Sequence, residues 1–157
     1  MIEIFIIFLG KYFGYILIGI LLIWLLKNLR QRLPLFWQMA AAAILSRGII
    51  TEAIRFLWPR SRPFVEQNFV PLIPHADSAS FPSGHAAFFF AIGTVLYLYN
   101  KKAGTVFLAG SALIVVARVL AGVHWFSDVT WGAAIGIACG LIVSKFVILH
   151  SRRFHAN

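Results

Sequence analysis

The chain has 157 residues, 61% of them hydrophobic and only 12% charged, with a formal net charge of +9. This balance excludes an ordinary soluble globule, in which about a quarter of the residues are charged, and fits a single membrane domain covering residues 1–157. The basic residues lie at the ends of apolar runs or inside three short motifs rather than in a stripe interleaved with exposed aromatics, so nucleic acid is not expected as a partner.

The apolar runs predict an all-α integral membrane bundle of about five transmembrane helices, over residues 4–26, 35–57, 84–100, 104–122 and 127–149. Each is near the ~20 residues that a bilayer requires. Before the first run stands Glu3, and after it come Lys27, Arg30 and Arg32. A signal peptide has the opposite charge order, so this run is expected to be an uncleaved anchor, with Lys11 snorkelling to the interface.

The second run carries Arg47 and Glu52 and ends at Arg55. Charges within a membrane pair or face the bundle. Glu52 and Arg55, three apart, suit a pair, and Glu52 is expected to position Arg55. Arg47 and Glu52, five apart, are poorly placed for one another on a regular α-helix. That leaves Arg47 to backbone carbonyls or to a lipid headgroup.

The loop over residues 58–81 contains Pro59, Pro63, Pro71 and Pro74. Proline stops the preceding helix, and a loop of this length is usually functional. The third run opens at Pro82-Ser83-Gly84-His85 and includes Phe88, Phe89 and Phe90, which read as packing or lipid contact. A tight turn at Asn100-Lys101-Lys102 leads to the fourth run, which holds Arg118 about one turn from its end. In the fifth, Gly132 and Gly136 form a small-x3-small face for close helix packing, either internal or between the subunits of a homodimer. Lys145 there snorkels, and Cys139, the only cysteine, reads as a small buried residue that excludes disulfides and a cysteine-built metal site.

With five spans, Lys27, Arg30 and Arg32, then Lys101 and Lys102, then Arg152 and Arg153 fall on one face. The positive-inside rule makes that face cytoplasmic. The long loop and the turn over residues 122–128 are then extracytoplasmic, and the three polar motifs meet there.

Those motifs are Arg55-x6-Arg62-Pro63, Pro82-Ser83-Gly84-His85 and Arg118-x5-His124-x3-Asp128. A carboxylate four residues from an imidazole can hold one ring nitrogen and leave the other as a nucleophile; the same pair also fits a helix cap beside an interfacial histidine. At the start of a helix, free amides attract anions and glycine admits close approach, while Ser83 adds a donor and His85 a general acid; the same motif also fits a helix cap followed by an interfacial histidine. The guanidinium forks of Arg55, Arg62 and Arg118 match phosphate oxygens, although Arg55 taken alone also fits a side chain snorkelling to the interface. An unpaired charge at the depth of Arg118 costs about 2.5–3.5 kcal/mol, so that residue in particular requires a partner or an anion.

Together these residues resemble the three-part signature of the type 2 phosphatidic acid phosphatase (PAP2) superfamily, which includes lipid phosphatases and vanadium-dependent haloperoxidases. Arg55 stands where the family usually has lysine, and Ala117 where it usually has serine. The resemblance implies a PAP2/haloperoxidase-like helical core in which His124 attacks phosphorus to form a phosphohistidine, Asp128 orients it, and His85 protonates the leaving group. Arg55, Arg62, Arg118, Ser83 and the amide of Gly84 would hold the phosphoryl oxygens, with no metal and no cofactor. The loop segment Leu72 to Phe81 and Arg62-Pro63-Phe64 are similar to the bacterial undecaprenyl-diphosphatases linked to bacitracin resistance, which implies a lipid diphosphate as substrate. Phosphatidylglycerophosphate, phosphatidate or a lipid A phosphate are the alternatives within hydrolysis, and a non-enzymatic anion-binding or transport protein is the alternative outside it. His75 and Asp77 either touch the distal phosphate or shape the loop.

Overall fold

A computed structural model describes residues 1–154, with side chains to residue 147. The side chains of Arg152 and Arg153, expected at the cytoplasmic face, lie outside the described residues. The all-α expectation holds: among the described residues every regular element is helical. Helix α1 runs Ile2–Leu26 and α2 runs Leu29–Leu57. The short α3, Pro63–Glu66, lies in the long loop with proline at its first position. Helices α4, α5 and α6 run Gly84–Tyr99, Lys101–Leu120 and Phe126–Phe154. Ile2–Leu26, Leu29–Leu57, Lys101–Leu120 and Phe126–Val147 are long and apolar enough to cross a bilayer, while α4, with 16 residues, is shorter.

Helix α2 starts before Pro34 instead of after it: the proline stands in the second turn, where its missing N–H removes one hydrogen bond of the ladder. Two helices change their winding. In α1 a π-turn covers Phe8–Tyr12, and in α2 a π-segment covers Ile44–Ile50. Both lie at the end of the bundle that carries the polar motifs.

The centre of the bundle is α4, whose Ala86, Ala87 and Ala91 are wholly buried. Against it lies the glycine face of α6. A Cβ at Gly136 would lie 2.5 Å from the Ala87 carbonyl oxygen, and one at Gly132 would lie 2.5 Å from that of Ser83. The small-x3-small face is therefore internal: it brings α6 into backbone contact with α4 and is not free for a homodimer. Phe89 joins Leu17, Ile92, Phe107 and Ile114 in the apolar core, with Phe88 packed on its edge.

Long-range backbone bonds close the loop over the helix ends. Leu72 donates to the Ala121 carbonyl at 3.1 Å, Ser80 to that of Arg60 at 2.8 Å, and Ser83 to that of Asp128 at 2.9 Å. Ile73 is buried against Ala121 and Val123. These contacts bring the three motifs to one end of the bundle.

Candidate active site

After α5 the chain reverses at Gly122, whose φ of +76° is in the left-handed region and whose missing Cβ makes room for the Phe69 ring. The reversal turns Val123 and His124 inward, and both are buried. Helix α6 then begins, with Asp128 in its first turn. Asp128 Oδ2 accepts the backbone N–H of Trp125 at 2.9 Å, the reach-back half of a capping box. The same oxygen accepts a hydrogen bond from Ser80 Oγ and lies 3.4 Å from His124 Nδ1, while Oδ1 accepts from Arg60 Nη1 at 3.1 Å. Asp128 thus caps a helix and holds an imidazole at the same time. The carboxylate–imidazole contact is present, with Asp128 at the third position of α6 and His124 buried rather than interfacial.

With Nδ1 on Asp128 and within 3.4 Å of Ser80 Oγ, Nε2 is the nitrogen left free. Burial lowers the His124 pKa to about 4; the hydrogen bond to Asp128 opposes the shift, and the charges of Arg118 and Arg62 add to it. The ring is therefore neutral at physiological pH, with a lone pair on one nitrogen. Because the unfolded value is about 6.5, the unfolded chain binds the extra proton between that value and about 4. This histidine's share of stability is complete above pH 6.5 and is lost as the pH falls through that window. In ligand-free protein, imidazole 15N shifts assigned with His124→Gln should show His124 neutral from pH 7 to pH 5; protonation near pH 6.5 would contradict the site.

The structure divides the three signature arginines by task. Arg118 is 3% exposed; its Nη1 donates to the Gly10 carbonyl at 3.1 Å, and its Nε has no hydrogen-bond partner. Gly10 lies in the π-turn of α1, where wider winding disturbs the regular ladder and frees a carbonyl. Among the described residues no carboxylate pairs with Arg118. Arg62 is buried and its fork is turned on the loop: Nε donates to the Ser78 carbonyl at 2.9 Å, Nη1 to that of Val123 at 2.8 Å, and Nη2 to that of Ala79 at 3.2 Å. Burial and then the Arg55 charge lower its pKa to about 10, so it remains a cation. Arg55 grips the Pro82 carbonyl through Nε and Nη2, at 3.2 and 3.1 Å, and its Nη1 reaches Glu52 at 3.3 Å, so the Glu52–Arg55 contact is present.

One sequence expectation changes here. Arg47 makes an ion pair with Glu52, although their spacing suits no regular α-helix. The π-segment supplies the reason, since i→i+5 winding stacks residues five apart. At Gly84 a Cβ would meet the Nε and Cδ of Arg47, so the glycine leaves room for that guanidinium. Ser83 is fully buried and caps α4, its Oγ accepting from the Ala86 N–H at 3.5 Å; its own proton is what remains for a ligand. His85, on the first turn of α4, is exposed to a cavity and lies within electrostatic reach of Arg118, His124, His75 and Arg47.

Sequence reasoning missed Ser80 and Arg60. Arg60 also donates to Ser127 Oγ at 2.7 Å and faces the Trp125 ring at 5.3 Å. The i, i+2 spacing of Arg60 and Arg62 was the available signal, because on extended chain it sends both side chains the same way. The His75 ring lies edge-on to that of His124, with centroids 6.3 Å apart, so this loop residue borders the site. Among the described residues no three His, Cys, Asp or Glu side chains form a ligand set for a metal.

The sequence profile of the PAP2 superfamily matches residues 36–152. This chain belongs to that superfamily. The PAP2 chain is 32% identical over 138 residues to the "bacitracin transport permease protein BcrC" of Bacillus licheniformis, a match covering 87% of this chain and 67% of the relative. It is 30% identical over 127 residues to the "undecaprenyl-diphosphatase BcrC" of Bacillus subtilis, covering 81% and 65%. The chain thus spans about two thirds of the length of these relatives. The crystal structure of Aquifex aeolicus LpxE superposes with a TM-score of 0.77 at 31% identity, over 92% of this chain and 86% of that one.

Proposed function

We propose that this PAP2 protein is a membrane lipid phosphatase that hydrolyses a terminal phosphate at the extracytoplasmic face, converting undecaprenyl diphosphate to undecaprenyl phosphate. The observation that carries the reading is Arg118, a buried cation with an unpartnered N–H and no carboxylate, beside a buried histidine held by a buried carboxylate. Such a cation calls for an anion, and such a histidine for an electrophile.

The chemistry follows from the residues. His124 Nε2 forms a bond to the terminal phosphorus as the bond from phosphorus to the bridging oxygen breaks. Asp128 stabilises the imidazolium that develops on His124. Protonated His85 gives its proton to the bridging oxygen, and the lipid departs with its remaining phosphate. Neutral His85 then takes a proton from water, which attacks the phosphohistidine and releases inorganic phosphate. Arg118 neutralises the equatorial oxygens throughout, with the Ser83 hydroxyl and the Gly84 amide as further donors. Arg55 and Arg62 add positive field while they hold Pro82 and the loop in place. The name of the Bacillus subtilis relative supports a lipid diphosphate as substrate.

Phosphate release from a panel of undecaprenyl diphosphate, phosphatidylglycerophosphate, phosphatidate and a lipid A phosphate tests the reading, run with and without a strong chelator. Release is expected to be fastest from the diphosphate and to survive chelation. A preference for another lipid moves the substrate within the class, and rescue of a chelated enzyme by magnesium overturns the metal-free mechanism. On intact cells, an impermeant maleimide should label Val70→Cys, a position 92% exposed in the loop; protection there would invert the orientation.

A further inference from the structure

His85 opens into a cavity of about 390 Å3, within the range of ligand sites, that is also lined by Lys11, Arg47 and Gly84. The remaining wall is largely apolar. Two of its residues, Ile18 and Phe88, also line a second cavity of about 280 Å3, walled by apolar side chains of α1, α2 and α4. The two spaces share a wall and lie in sequence along the bundle, cationic at the end near His85 and apolar beyond it.

The charge at the cationic end is not balanced. Glu52 is the only carboxylate paired with Arg47 among the described residues, and it also serves Arg55. Lys11 has no carboxylate partner and faces the Tyr12 ring at 5.2 Å. The Arg47 side chain lies where a Cβ at Gly84 would point, which sets its guanidinium beside the helix start that carries His85. If His85 protonates the leaving oxygen, the leaving group lies in this cavity.

We propose that Lys11 and Arg47 form a second anion subsite that holds the phosphate remaining on the lipid product, with the apolar tail running into the adjoining cavity between α1, α2 and α4. The proposal rests on the phosphatase reading and deepens it. It makes the site one for lipid diphosphates: the terminal phosphate meets Arg118 and His124, and the inner phosphate meets Lys11 and Arg47. A phosphomonoester would leave the second pair of cations without a ligand.

The test is steady-state hydrolysis of a prenyl diphosphate, with the matching prenyl monophosphate and vanadate as separate inhibitors. Vanadate occupies the phosphoryl position and the prenyl monophosphate the product position. Lys11→Gln and Arg47→Gln should each lower kcat/KM and raise the inhibition constant of the prenyl monophosphate about tenfold, the effect of one charge-assisted hydrogen bond. The vanadate constant should move by less than about twofold, and Arg47→Lys should recover part of the loss. Because Lys11 is exposed, its variant keeps the test open if Arg47→Gln fails to fold. Inhibition constants that change together, or that do not change, overturn the proposal. A wild type that hydrolyses phosphate monoesters but no diphosphate overturns it and leaves the phosphatase reading intact, whereas a wild type that releases phosphate from neither overturns that reading itself.

Discussion

Replacing His124 with alanine is expected to lower kcat for phosphate release by roughly four orders of magnitude or more, the usual effect of removing the nucleophile from an interdependent set of catalytic groups. The cause is specific to the geometry. Nδ1 lies 3.4 Å from a carboxylate that Ser80, Trp125 and Arg60 also hold, so the free nitrogen is held in one orientation. Asp128→Asn should cost less, because the ring stays in place but loses the charge that stabilises its cation. A transport protein of the kind named for the Bacillus licheniformis relative would keep its function without this imidazole, so unchanged substrate handling by His124→Ala would favour transport and remove the enzyme reading.

Arg118→Met should reduce kcat/KM by about 10²–10³-fold, the effect of losing one transition-state donor in a water-excluded site. The same substitution should leave thermal stability unchanged or raise it. In the ligand-free protein Arg118 is a nearly buried charge with a single carbonyl partner and an orphan N–H, and a flexible apolar side chain of similar length removes that desolvation cost. Vanadate should raise the melting temperature of the wild type through binding linkage and raise that of Arg118→Met much less. A variant with wild-type kinetics would take Arg118 out of the site. A variant that collapses in detergent while its activity per folded molecule is unchanged would make Arg118 a structural residue bound to Gly10.

Local pattern carried much of the architecture. Apolar runs long enough for a bilayer, and interrupting prolines, made the all-helical class legible. The polar motifs stood out because charge and imidazole are costly in so apolar a chain. What pattern could not carry was winding and partnership. Arg47 and Glu52 look mismatched until the π-segment places residues five apart in register. Nothing in the spacing shows that Arg47 lies against Gly84.

The sequence alone therefore determined which polar side chains interrupt the apolar runs and which segments form apolar helices, because both depend on composition and near-neighbour spacing. Only the tertiary structure decided what each polar group does. It buried Arg62 in loop carbonyls, left Arg118 without a counter-ion among the described residues, directed Ser80 and Arg60 onto Asp128, and used the Gly132 and Gly136 face within the chain. The physical reason is that a buried polar group is satisfied by whatever the fold brings within about 3 Å of it, and here those partners come from distant segments of the chain.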